Sequence, residues 1–431
     1  MSRIAVIGAG YVGITTAACL ADLGNEVCVV DVDASKVARL QAGELTFSEP
    51  GLAEVLQHNL AAGRLSFTTG YGAAIPGAQF AFIAVSTPEG EGGQADTRAV
   101  ESAARSIAAS IDGPLVVVNK STVPIGTGDL VGHLIAAIRP EVRIGVVSNP
   151  EFLREGSAVF DFMHPDRIVL GSGDLVAAKQ VADLYAPLEP QAVVITDMHT
   201  AEFIKYASNA FLATKISFVN EMAWIAERVG ADIKVIAAGM GLDPRIGPQF
   251  LAAGLGFGGS CFPKDVKALS AIAAAAGRHS ALLDSVLEIN RSQRRLVVDK
   301  VRLLLGSLEG RAVGLLGLAF KPGTDDLREA PSLDIARMLL DAGAEVSAYD
   351  PVATPSAKRL LPELVYRRTP YAVAKGADAV VLVTEWNEFK ELDFDRFRHL
   401  MRRPVFVDGR NVLDPGRMRD LGFIYSSIGR T

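Results

Sequence analysis

The feature that most constrains this chain lies at its start, where a short apolar segment runs directly into three closely spaced glycines. Residues 3–7 read RIAVI, Gly8, Gly10 and Gly13 follow in the spacing G-x-G-x-x-G, and an alanine-rich stretch begins at Tyr11. A glycine turn between a buried strand and a helix lets the backbone approach a pyrophosphate and points helix N–H groups at it. The N-terminal sequence therefore predicts a βαβ unit with a dinucleotide site.

An acidic residue indicates which dinucleotide this site prefers. Asp31 directly follows the second predicted strand, residues 26–30. A carboxylate at that position can accept hydrogen bonds from both ribose hydroxyls and would repel a 2′-phosphate, so the sequence favours NAD over NADP. A chance glycine-rich turn is the alternative interpretation, but a strand, a helix and an acid in the expected order make it the weaker one.

The rest of the chain predicts two α/β domains joined by helices. Apolar segments at residues 80–85, 115–119 and 144–147 alternate with helical stretches, and a second alternating unit starts at residue 311. Between them, residues 200–229 contain neither proline nor glycine, which is typical of one long helix, and another helix is predicted over 284–305. We expect an α/β fold with two Rossmann-like doubly wound parallel-sheet domains, joined by a long central helix and a helical layer.

The predicted boundaries give a dinucleotide-binding domain at residues 1–196, a central helical domain that contains Cys261 at 197–305, and a smaller Rossmann-like domain at 306–431. The strand-to-helix turn of the last domain lacks a full G-x-G-x-x-G, so it should not hold a second dinucleotide in the same way. A central helical layer commonly carries a subunit interface, and we predict a homodimer through the central helix.

Composition and charge exclude several other classes of function. The sequence has 49% hydrophobic and 21% charged residues and a net charge of −6, without a run of like charges that could follow a nucleic-acid backbone. Its three cysteines are too few for a disulfide framework or a zinc site. It has no basic leader and no apolar run of about 18 residues. We expect a cytoplasmic protein without a metal, a nucleic-acid partner or a membrane span.

Cys261 is the cysteine whose surroundings indicate reactivity. It lies in GFGGSCFPKD, where we expect the glycines to expose the backbone and Pro263 to occupy the first turn of a helix. A thiol at the positive end of a helix, with Lys264 close by, would be held more readily as the nucleophilic thiolate. Cys19 and Cys28 lie inside the first βαβ unit, where buried and inert thiols are expected.

Six ordered segments resemble the UDP-glucose/GDP-mannose dehydrogenase family, and the resemblance covers essentially the whole chain. They are GAGYVG from Gly8, KSTVPIGTG from Lys120, NPEFLREG from Asn149, EFIKYASNAFLATKISFVNE from Glu202, GFGGSCFPKD from Gly256 and AFKPGTDDLRE from Ala319. The resemblance implies an NAD-dependent four-electron oxidation of a nucleotide sugar. In it, C6 becomes an aldehyde, forms a thiohemiacetal with Cys261 and then a thioester that water cleaves. The C-terminal domain would bind the UDP group.

The resemblance favours UDP-glucose as the substrate, because Phe262 follows the cysteine where GDP-mannose dehydrogenases commonly have leucine. GDP-mannose is the alternative substrate. A protein that binds a dinucleotide or a nucleotide sugar without catalysis is the alternative from a different class. The presence of Cys261, Lys205, Asn209 and Asp265 at the family's positions favours the enzyme.

The resemblance also implies catalytic roles for six residues. Cys261 would be the nucleophile, Lys205 and Asn209 would stabilise an oxyanion at C6, and Asp265 would position water or assist proton transfer. Thr122 and Glu151 would hold and activate a water molecule. Lys205 and Asn209 are four residues apart and share one helix face, and the flanking Phe203, Ile204 and Phe211 favour a covered helix over a solvated one.

Two further sets of residues are expected to bind ligands by the same resemblance. The cofactor would be lined by Gly8, Gly10, Tyr11, Val12, Gly13, Asp31, Lys36, Ser86, Thr87, Thr122, Glu155, Lys264 and Arg328. Ser86 stands where the family more often has glycine. The substrate would contact Glu151, Phe152, Leu153, Lys205, Asn209, Arg245, Phe250, Phe257, Gly258, Phe320, Lys321 and Arg410, of which Arg245, Lys321 and Arg410 contribute positive charge.

Overall fold

The computed structural model describes residues 1–430 and divides into two compact units. Unit 1 extends from Met1 to Ser208, and unit 2 begins at Asn209. The division falls within one long helix, α9 (Met198–Val229), which matches the uninterrupted helix expected over residues 200–229.

Unit 1 is built on an eight-stranded sheet in the order β3-β2-β1-β4-β5-β6-β7-β8. The first six strands are parallel, whereas β7 is antiparallel to β6 and parallel to β8. The strands are β1 (Arg3–Ile7), β2 (Glu26–Val30), β3 (Leu65–Thr68), β4 (Phe80–Ile83), β5 (Leu115–Asn119), β6 (Ile144–Ser148), β7 (Ile168–Gly171) and β8 (Val193–Thr196). The strand order changes direction between β1 and β4, because β2 and β3 lie on one side of β1 and the later strands lie on the other. Open α/β sheets bind ligands at such a point.

Helices cover both faces of this sheet. They are α1 (Tyr11–Asp22), α2 (Ala34–Gln41), α3 (Leu52–Ala61), α4 (Tyr71–Ala74), α5 (Arg98–Ser110), α6 (Thr127–Ile138), α7 (Ala158–Met163) and α8 (Leu175–Tyr185), with 3₁₀ turns at Glu91–Gly93 and Ala186–Leu188. Alternate residues of one strand enter separate cores, with Val6 on one face and Ala5 and Ile7 on the other. Strands buried on both faces require continuous apolar runs, which is why RIAVI was recognisable.

Unit 2 combines helices with a six-stranded parallel sheet in the order β11-β10-β9-β12-β13-β14. Its strands are β9 (Ala312–Leu316), β10 (Glu345–Tyr349), β11 (Val365–Tyr366), β12 (Ala379–Leu382), β13 (Val405–Asp408) and β14 (Ile424–Ser427). After α9 come α10 (Ile233–Gly241), α11 (Phe262–Ala275), α12 (Ala281–Leu305), α13 (Pro331–Asp341), α14 (Thr354–Leu360), α15 (Pro370–Ala374), α16 (Asn387–Lys390), α17 (Phe394–Leu400) and α18 (Pro415–Asp420). The predicted fold class is confirmed.

The helical layer and the second sheet share one hydrophobic core. Val219 of α9 and Val297 and Val301 of α12 lie in the same buried cluster as Leu315 and Val381 of the sheet. The predicted boundary at residues 305–306 therefore separates two layers that pack as one unit. The three-domain division stays a prediction.

Five strands were not predicted, namely β3, β7 and β8 of unit 1 and β11 and β14 of unit 2. The three in unit 1 give weak sequence signals. β3 has four residues, LSFT, of which two are apolar, and β7 is equally short. β8 lies at the sheet edge with Val193, Val194 and Ile195 exposed.

Within residues 1–430, none of the helices is both long enough and apolar enough to cross a membrane. The same residues contain no group of three or more His, Cys, Asp or Glu side chains arranged to hold a metal ion.

Candidate active site

The glycine turn after β1 leaves open space at the N-terminus of α1. Gly8 has a φ of +104°, and a Cβ atom there would lie 2.7 Å from the carbonyl oxygen of Ala84. A Cβ on Gly13 would lie 1.8 Å from the carbonyl oxygen of Gly8, whereas one on Gly10, the N-cap of α1, would meet no atom within 4 Å. The turn itself requires glycine at 8 and 13, and Gly10 leaves room for the pyrophosphate of a dinucleotide.

Asp31 lies directly after β2 in a hydrogen-bonded turn. Its carboxylate accepts the N–H of Ala9 at 2.7 Å and the N–H of Asp33 at 3.0 Å, and it pairs with the Lys36 ammonium at 3.2 Å. Burial alone would raise the pKa of Asp31, but these N–H groups and Lys36 outweigh it, so the pKa is lowered. The carboxylate is thus held ionised beside the glycine turn, where it can accept from ribose hydroxyls and repel a 2′-phosphate.

Three more of the predicted cofactor residues lie in loops that follow the neighbouring strands β4 and β5. Ser86 is exposed and Thr87 is buried after β4, and the Thr87 hydroxyl donates to the carbonyl oxygen of Thr122 at 2.7 Å. This bond joins the two loops at the carboxyl edge of the sheet. Tyr11 and Val12 occupy the first turn of α1.

Glu151 and Lys205 form a buried ion pair. Glu151 follows β6, and its oxygens accept the Lys205 ammonium at 2.9 Å and the Leu153 N–H at 2.6 Å. The Lys205 and Glu151 side chains are 4% and 6% exposed, so each charge compensates the other in nearly dry surroundings. The Lys205 ammonium also lies 5.4 Å from the ring centre of Phe152. The structure thus brings together four residues predicted to contact substrate.

Lys120 is a second buried cation, absent from the predicted site. It follows β5, and its ammonium donates to Asn149 Oδ1 at 3.0 Å and to the Tyr185 hydroxyl at 3.1 Å. Burial lowers the pKa of Lys120 to about 7; the charge of Glu151 opposes this shift, and that of Lys205 adds to it. A lysine placed directly after an apolar strand was the sequence signal for this residue.

Glu202 also lay outside the prediction, although it lies one turn before Lys205 on α9. Its carboxylate accepts the N–H groups of Gly126 and Gly128 at 2.6 and 2.8 Å, at the N-terminus of α6. Burial raises the pKa of Glu202 to about 7, against the effect of these two N–H groups. The contact fixes the start of α9 to the segment that follows Thr122.

Cys261 is the N-cap of α11, with Pro263 in the first turn, as the sequence predicted. The glycines before it have another role than expected. Cβ atoms on Gly256, Gly258 and Gly259 would lie 2.3 Å from Asn290, 2.4 Å from Glu329 and 2.8 Å from Phe320. The expectation that these glycines expose the backbone is wrong, because they are buried where no side chain fits. Close packing holds the half-buried Cys261 in place.

Asp265 joins the other predicted catalytic groups of unit 2. It is almost completely buried one turn into α11, and it accepts hydrogen bonds from Asn209 Nδ2 at 2.6 Å and from the Lys264 ammonium at 2.7 Å. Its own N–H donates to the Cys261 carbonyl oxygen at 2.8 Å. Lys264 therefore compensates the Asp265 carboxylate. Contact of Lys264 with the cofactor stays a prediction.

Helix α9 is covered on one side only. Lys205 and Asn209 are buried, but Phe203 and Phe211, which were expected to indicate a covered helix, are both exposed. That expectation is wrong because each of these phenylalanines is two residues from a buried polar one, and a separation of two places side chains on opposite sides of a helix.

The cations expected to bind ligand have different surroundings. Arg410 is partly buried and donates to the carbonyl oxygens of Val383 at 2.7 Å and Phe320 at 3.0 Å. Arg245 and Arg328 are exposed, and each pairs at 2.6 Å with a carboxylate two residues earlier, Asp243 and Asp326. Arg410 thus ties loops together, whereas the contacts of Arg245 do not join it to the other predicted residues.

Aromatic residues surround the cysteine segment within unit 2. The ring of Phe262 lies 6.1 Å from that of Phe250 and 5.9 Å from that of Phe257. Phe250 has a φ of +63°, an unusual backbone conformation for a bulky residue. The Lys321 ammonium lies 5.3 Å from the ring centre of Phe320. Gly258 is buried in the same segment, and Glu155 is half-buried in the loop after Glu151 in unit 1.

Comparison with known proteins identifies the family. Models of the UDP-glucose/GDP-mannose dehydrogenase family match in three parts: the NAD binding domain at residues 2–189, the central domain at 199–292 and the UDP binding domain at 314–415. The UDP-glucose 6-dehydrogenase TuaD of Bacillus subtilis (strain 168) is 48% identical, with 100% of this chain and 94% of the relative covered. The chain belongs to the UDP-glucose/GDP-mannose dehydrogenase family.

Solved structures agree with this assignment. A UDP-glucose dehydrogenase from Pyrobaculum islandicum matches with a TM-score of 0.94 and 42% identity, over 100% of this chain and 98% of that chain. A GDP-mannose dehydrogenase from Pseudomonas aeruginosa matches with a TM-score of 0.56 and 32% identity, over 94% and 96%. Membership of the UDP-glucose/GDP-mannose dehydrogenase family confirms the predicted cofactor, NAD, and the predicted enzyme class, a nucleotide-sugar dehydrogenase.

Proposed function

We propose that this protein is a UDP-glucose 6-dehydrogenase, which oxidises the C6 hydroxymethyl group of UDP-glucose to a carboxylate. The observation that carries the proposal is Cys261 at the start of α11, on a packed glycine segment next to the buried Asp265 and Asn209. A simple two-electron alcohol dehydrogenase has no use for a nucleophilic thiol, whereas an oxidation to the acid does. The chain is 48% identical to a UDP-glucose 6-dehydrogenase and 32% identical to a GDP-mannose dehydrogenase, which supports UDP-glucose as the substrate.

The proposed reaction uses sulfur twice. After C6 has lost two electrons, the Cys261 thiolate adds to the aldehyde, a C–S bond forms and the resulting oxyanion takes up a proton. Loss of a second hydride from C6, together with the proton of its hydroxyl group, leaves a thioester. Water then adds to its carbonyl carbon, the C–S bond breaks and the acid leaves. A thiolate adds readily to an aldehyde and is also a good leaving group, so it serves both the capture and the release.

The cofactor site fits NAD by its own geometry. Gly8, Gly10 and Gly13 would hold the pyrophosphate at the N-terminus of α1, and the ionised Asp31 would accept from the adenosine ribose. Bound NAD would supply the hydride acceptor for each of the two oxidations.

Two buried pairs are assigned to charge stabilisation and proton transfer. We assign the Lys205 ammonium to the oxyanion at C6, with Glu151 holding it in position and, together with Thr122, binding water. Asn209 would donate its amide to the oxyanion of the cysteine adduct, and Asp265, which accepts from that amide at 2.6 Å, would position water or assist proton transfer. Arg410 and Lys321 would favour the negative pyrophosphate of the substrate.

The first test is the stoichiometry of the reaction. The ratio of NADH formed to UDP-glucose consumed is expected to be about two, with UDP-glucuronate as the product. GDP-mannose is expected to react with a kcat/KM at least about 100-fold lower. A ratio of one would contradict the thioester step, and faster reaction with GDP-mannose would overturn the substrate. Tight binding of both ligands without NADH would favour the non-catalytic alternative.

The exposed side of α9 supports the proposal of a homodimer. Phe211, Phe218 and Ile225 recur every seven residues and are 64%, 41% and 42% exposed, with Trp224 and Val229 beside them. A seven-residue repeat keeps side chains on one helix face, and a continuous apolar stripe of this kind indicates a protein interface. A second copy of the same helix is self-complementary to the stripe, as a two-fold axis requires.

Phe218→Glu is expected to convert the homodimer to monomers, because two charges would be buried at the centre of a symmetric interface. Sedimentation velocity would measure the change in mass, and circular dichroism would check that the helices remain. Phe160→Glu is the matched control, since Phe160 is also exposed but lies on α7 in unit 1. A native protein that sediments as a monomer, or a dimeric Phe218→Glu variant, would contradict the interface.

Two further proposals complete the assignment. We retain the division into domains at residues 1–196, 197–305 and 306–431. We also place the reaction in the cytoplasm, because Cys19, Cys28 and Cys261 form no disulfide and a reducing compartment keeps such thiols reduced.

A further inference from the structure

Glu49 lies outside every segment assigned to the active site, yet its carboxylate is buried. The residue belongs to the stretch between α2 and α3 and is 5% exposed. Its Oε1 accepts the N–H of Ala158 at 2.7 Å, and its Oε2 accepts the N–H of Gly156 at 2.6 Å and the hydroxyl of Tyr11 at 3.0 Å. Both oxygens are therefore satisfied, which offsets the cost of burying a charge.

The three donors come from the two ligand-binding parts of unit 1. Tyr11 is the first residue of α1, inside the glycine turn of the NAD site. Gly156 and Ala158 directly follow the segment that carries Glu151 and Glu155. A single carboxylate thus joins the NAD turn to the end of the proposed substrate segment, across more than 100 residues of sequence.

Glu49 also supplies a hydrogen-bond acceptor at the start of α7 that the N-cap residue does not provide. Ser157, the N-cap of α7, makes no side-chain capping hydrogen bond, and the N–H of Ala158, the first residue of this helix, is instead bonded by Glu49. A second carboxylate, Asp161, holds the same loop through Arg154 and Ser157, and its hydrogen bonds do not involve Tyr11. The loop therefore has one attachment to the NAD turn and one that is independent of it.

The Tyr11 hydroxyl is held as a donor. Burial, followed by the charge of Glu49, raises the pKa of Tyr11 well above its ordinary value. The ring also packs against Phe47, with 5.4 Å between ring centres. The hydroxyl therefore stays protonated near neutral pH, and its hydrogen bond links Glu49 to the first turn of α1.

We propose that Glu49 is a positioning residue that couples the NAD site to residues 149–157. Ordering of the first turn of α1 by NAD is passed through the Tyr11 hydroxyl and Glu49 to the backbone that places Glu151. The consequence for turnover rests on the proposed function, but the coupling itself does not. Glu49 touches neither ligand in this account and acts only through the residues that it holds.

Glu49→Gln is the most specific test of these hydrogen bonds, because glutamine has nearly the same shape as glutamate. Its NH₂ group must face a backbone N–H donor at one of the two oxygen positions, so one backbone hydrogen bond is lost. A displacement of about 1 Å at a catalytic group can lower turnover about 100-fold. We expect kcat to fall about 10- to 100-fold, with KM for UDP-glucose changed less than about threefold.

Two other variants distinguish coupling between Glu49 and the NAD site from a purely structural role of Glu49. Tyr11→Phe removes only the link to α1, and we expect a smaller loss in kcat that does not add to that of Glu49→Gln in the double variant, since both act through one chain of contacts. Asp161→Asn weakens the independent attachment, and we expect kcat to stay within about threefold of native even where the melting temperature falls. Equal kcat losses in Asp161→Asn and Glu49→Gln, or a kcat within twofold of native for Glu49→Gln, would overturn the proposal.

Hydrogen exchange tests the coupling without any turnover. In the native protein, saturating NAD is expected to slow exchange of the Gly156 and Ala158 amides about tenfold. Tyr11→Phe should remove this effect of NAD, and Glu49→Gln should speed exchange with or without NAD. If UDP-glucose proved not to be a substrate, this measurement would still decide the inference. Exchange that does not respond to NAD in the native protein, or that responds equally in Tyr11→Phe, would refute it.

Discussion

Replacing Cys261 with serine is expected to stop net formation of the acid while leaving the protein folded. Serine is a preferred N-cap residue, so the start of α11 should be kept and the free energy of unfolding should change by less than about 1 kcal/mol. An alcohol without an activating base is a far weaker nucleophile than a thiolate near neutral pH. We expect kcat for complete oxidation to fall at least about 10⁴-fold.

The measurement follows NADH and product together. Native enzyme should give about two NADH per sugar and a covalent adduct on Cys261 that mass spectrometry can detect after acid quenching. The serine variant should bind NAD with nearly unchanged affinity, because the glycine turn and Asp31, which are assigned to its pyrophosphate and ribose, lie in unit 1. Cys28→Ala is the matched control, since Cys28 is a half-buried thiol on β2 without an assigned role. Full activity in Cys261→Ser or Cys261→Ala would remove the thiol from the mechanism.

The sequence predicted those parts of the fold that depend on local patterns. Strands such as β2 and β5 are buried on both faces, so their composition alone identifies them. The glycine turn was recognisable from its spacing between a strand and a helix, although the atom that excludes a Cβ at Gly8 belongs to Ala84, after β4. β8 was missed because an edge strand with three exposed apolar residues has neither alternation nor a buried run.

Long-range partners were beyond sequence reasoning. Nothing local shows that Glu49 binds the backbone 107 residues later, or that Lys120 reaches Tyr185 after 65 residues. The glycines before Cys261 were correctly taken as meaningful, but their reason is the space occupied by Asn290, Glu329 and Phe320. Arg410 was expected to offer its charge to the substrate, and its hydrogen bonds to Val383 and Phe320 became visible only in the folded chain.

Lys205→Met is expected to inactivate the enzyme and to cause the largest loss of stability among the variants considered. The substitution removes the ammonium 2.9 Å from Glu151 and leaves a carboxylate that is 6% exposed without its cation. Removing one partner of a buried ion pair costs about 3–5 kcal/mol. Chemical denaturation would measure the change in the free energy of unfolding. Loss of the group assigned to the C6 oxyanion should lower kcat about 10²- to 10³-fold.

Stability and catalysis can be separated by a second substitution. In Lys205→Met with Glu151→Leu, the unpaired charge is gone, so most of the lost stability should return while activity stays low. Lys205→Arg keeps a fixed positive charge that cannot be deprotonated. Activity in the arginine variant would indicate that Lys205 acts only as a cation, and its loss in a stable variant would indicate that Lys205 must also release a proton. Recovery of turnover in the Met/Leu double variant would contradict any role in the chemistry, since no charge would then remain at either position to stabilise an oxyanion.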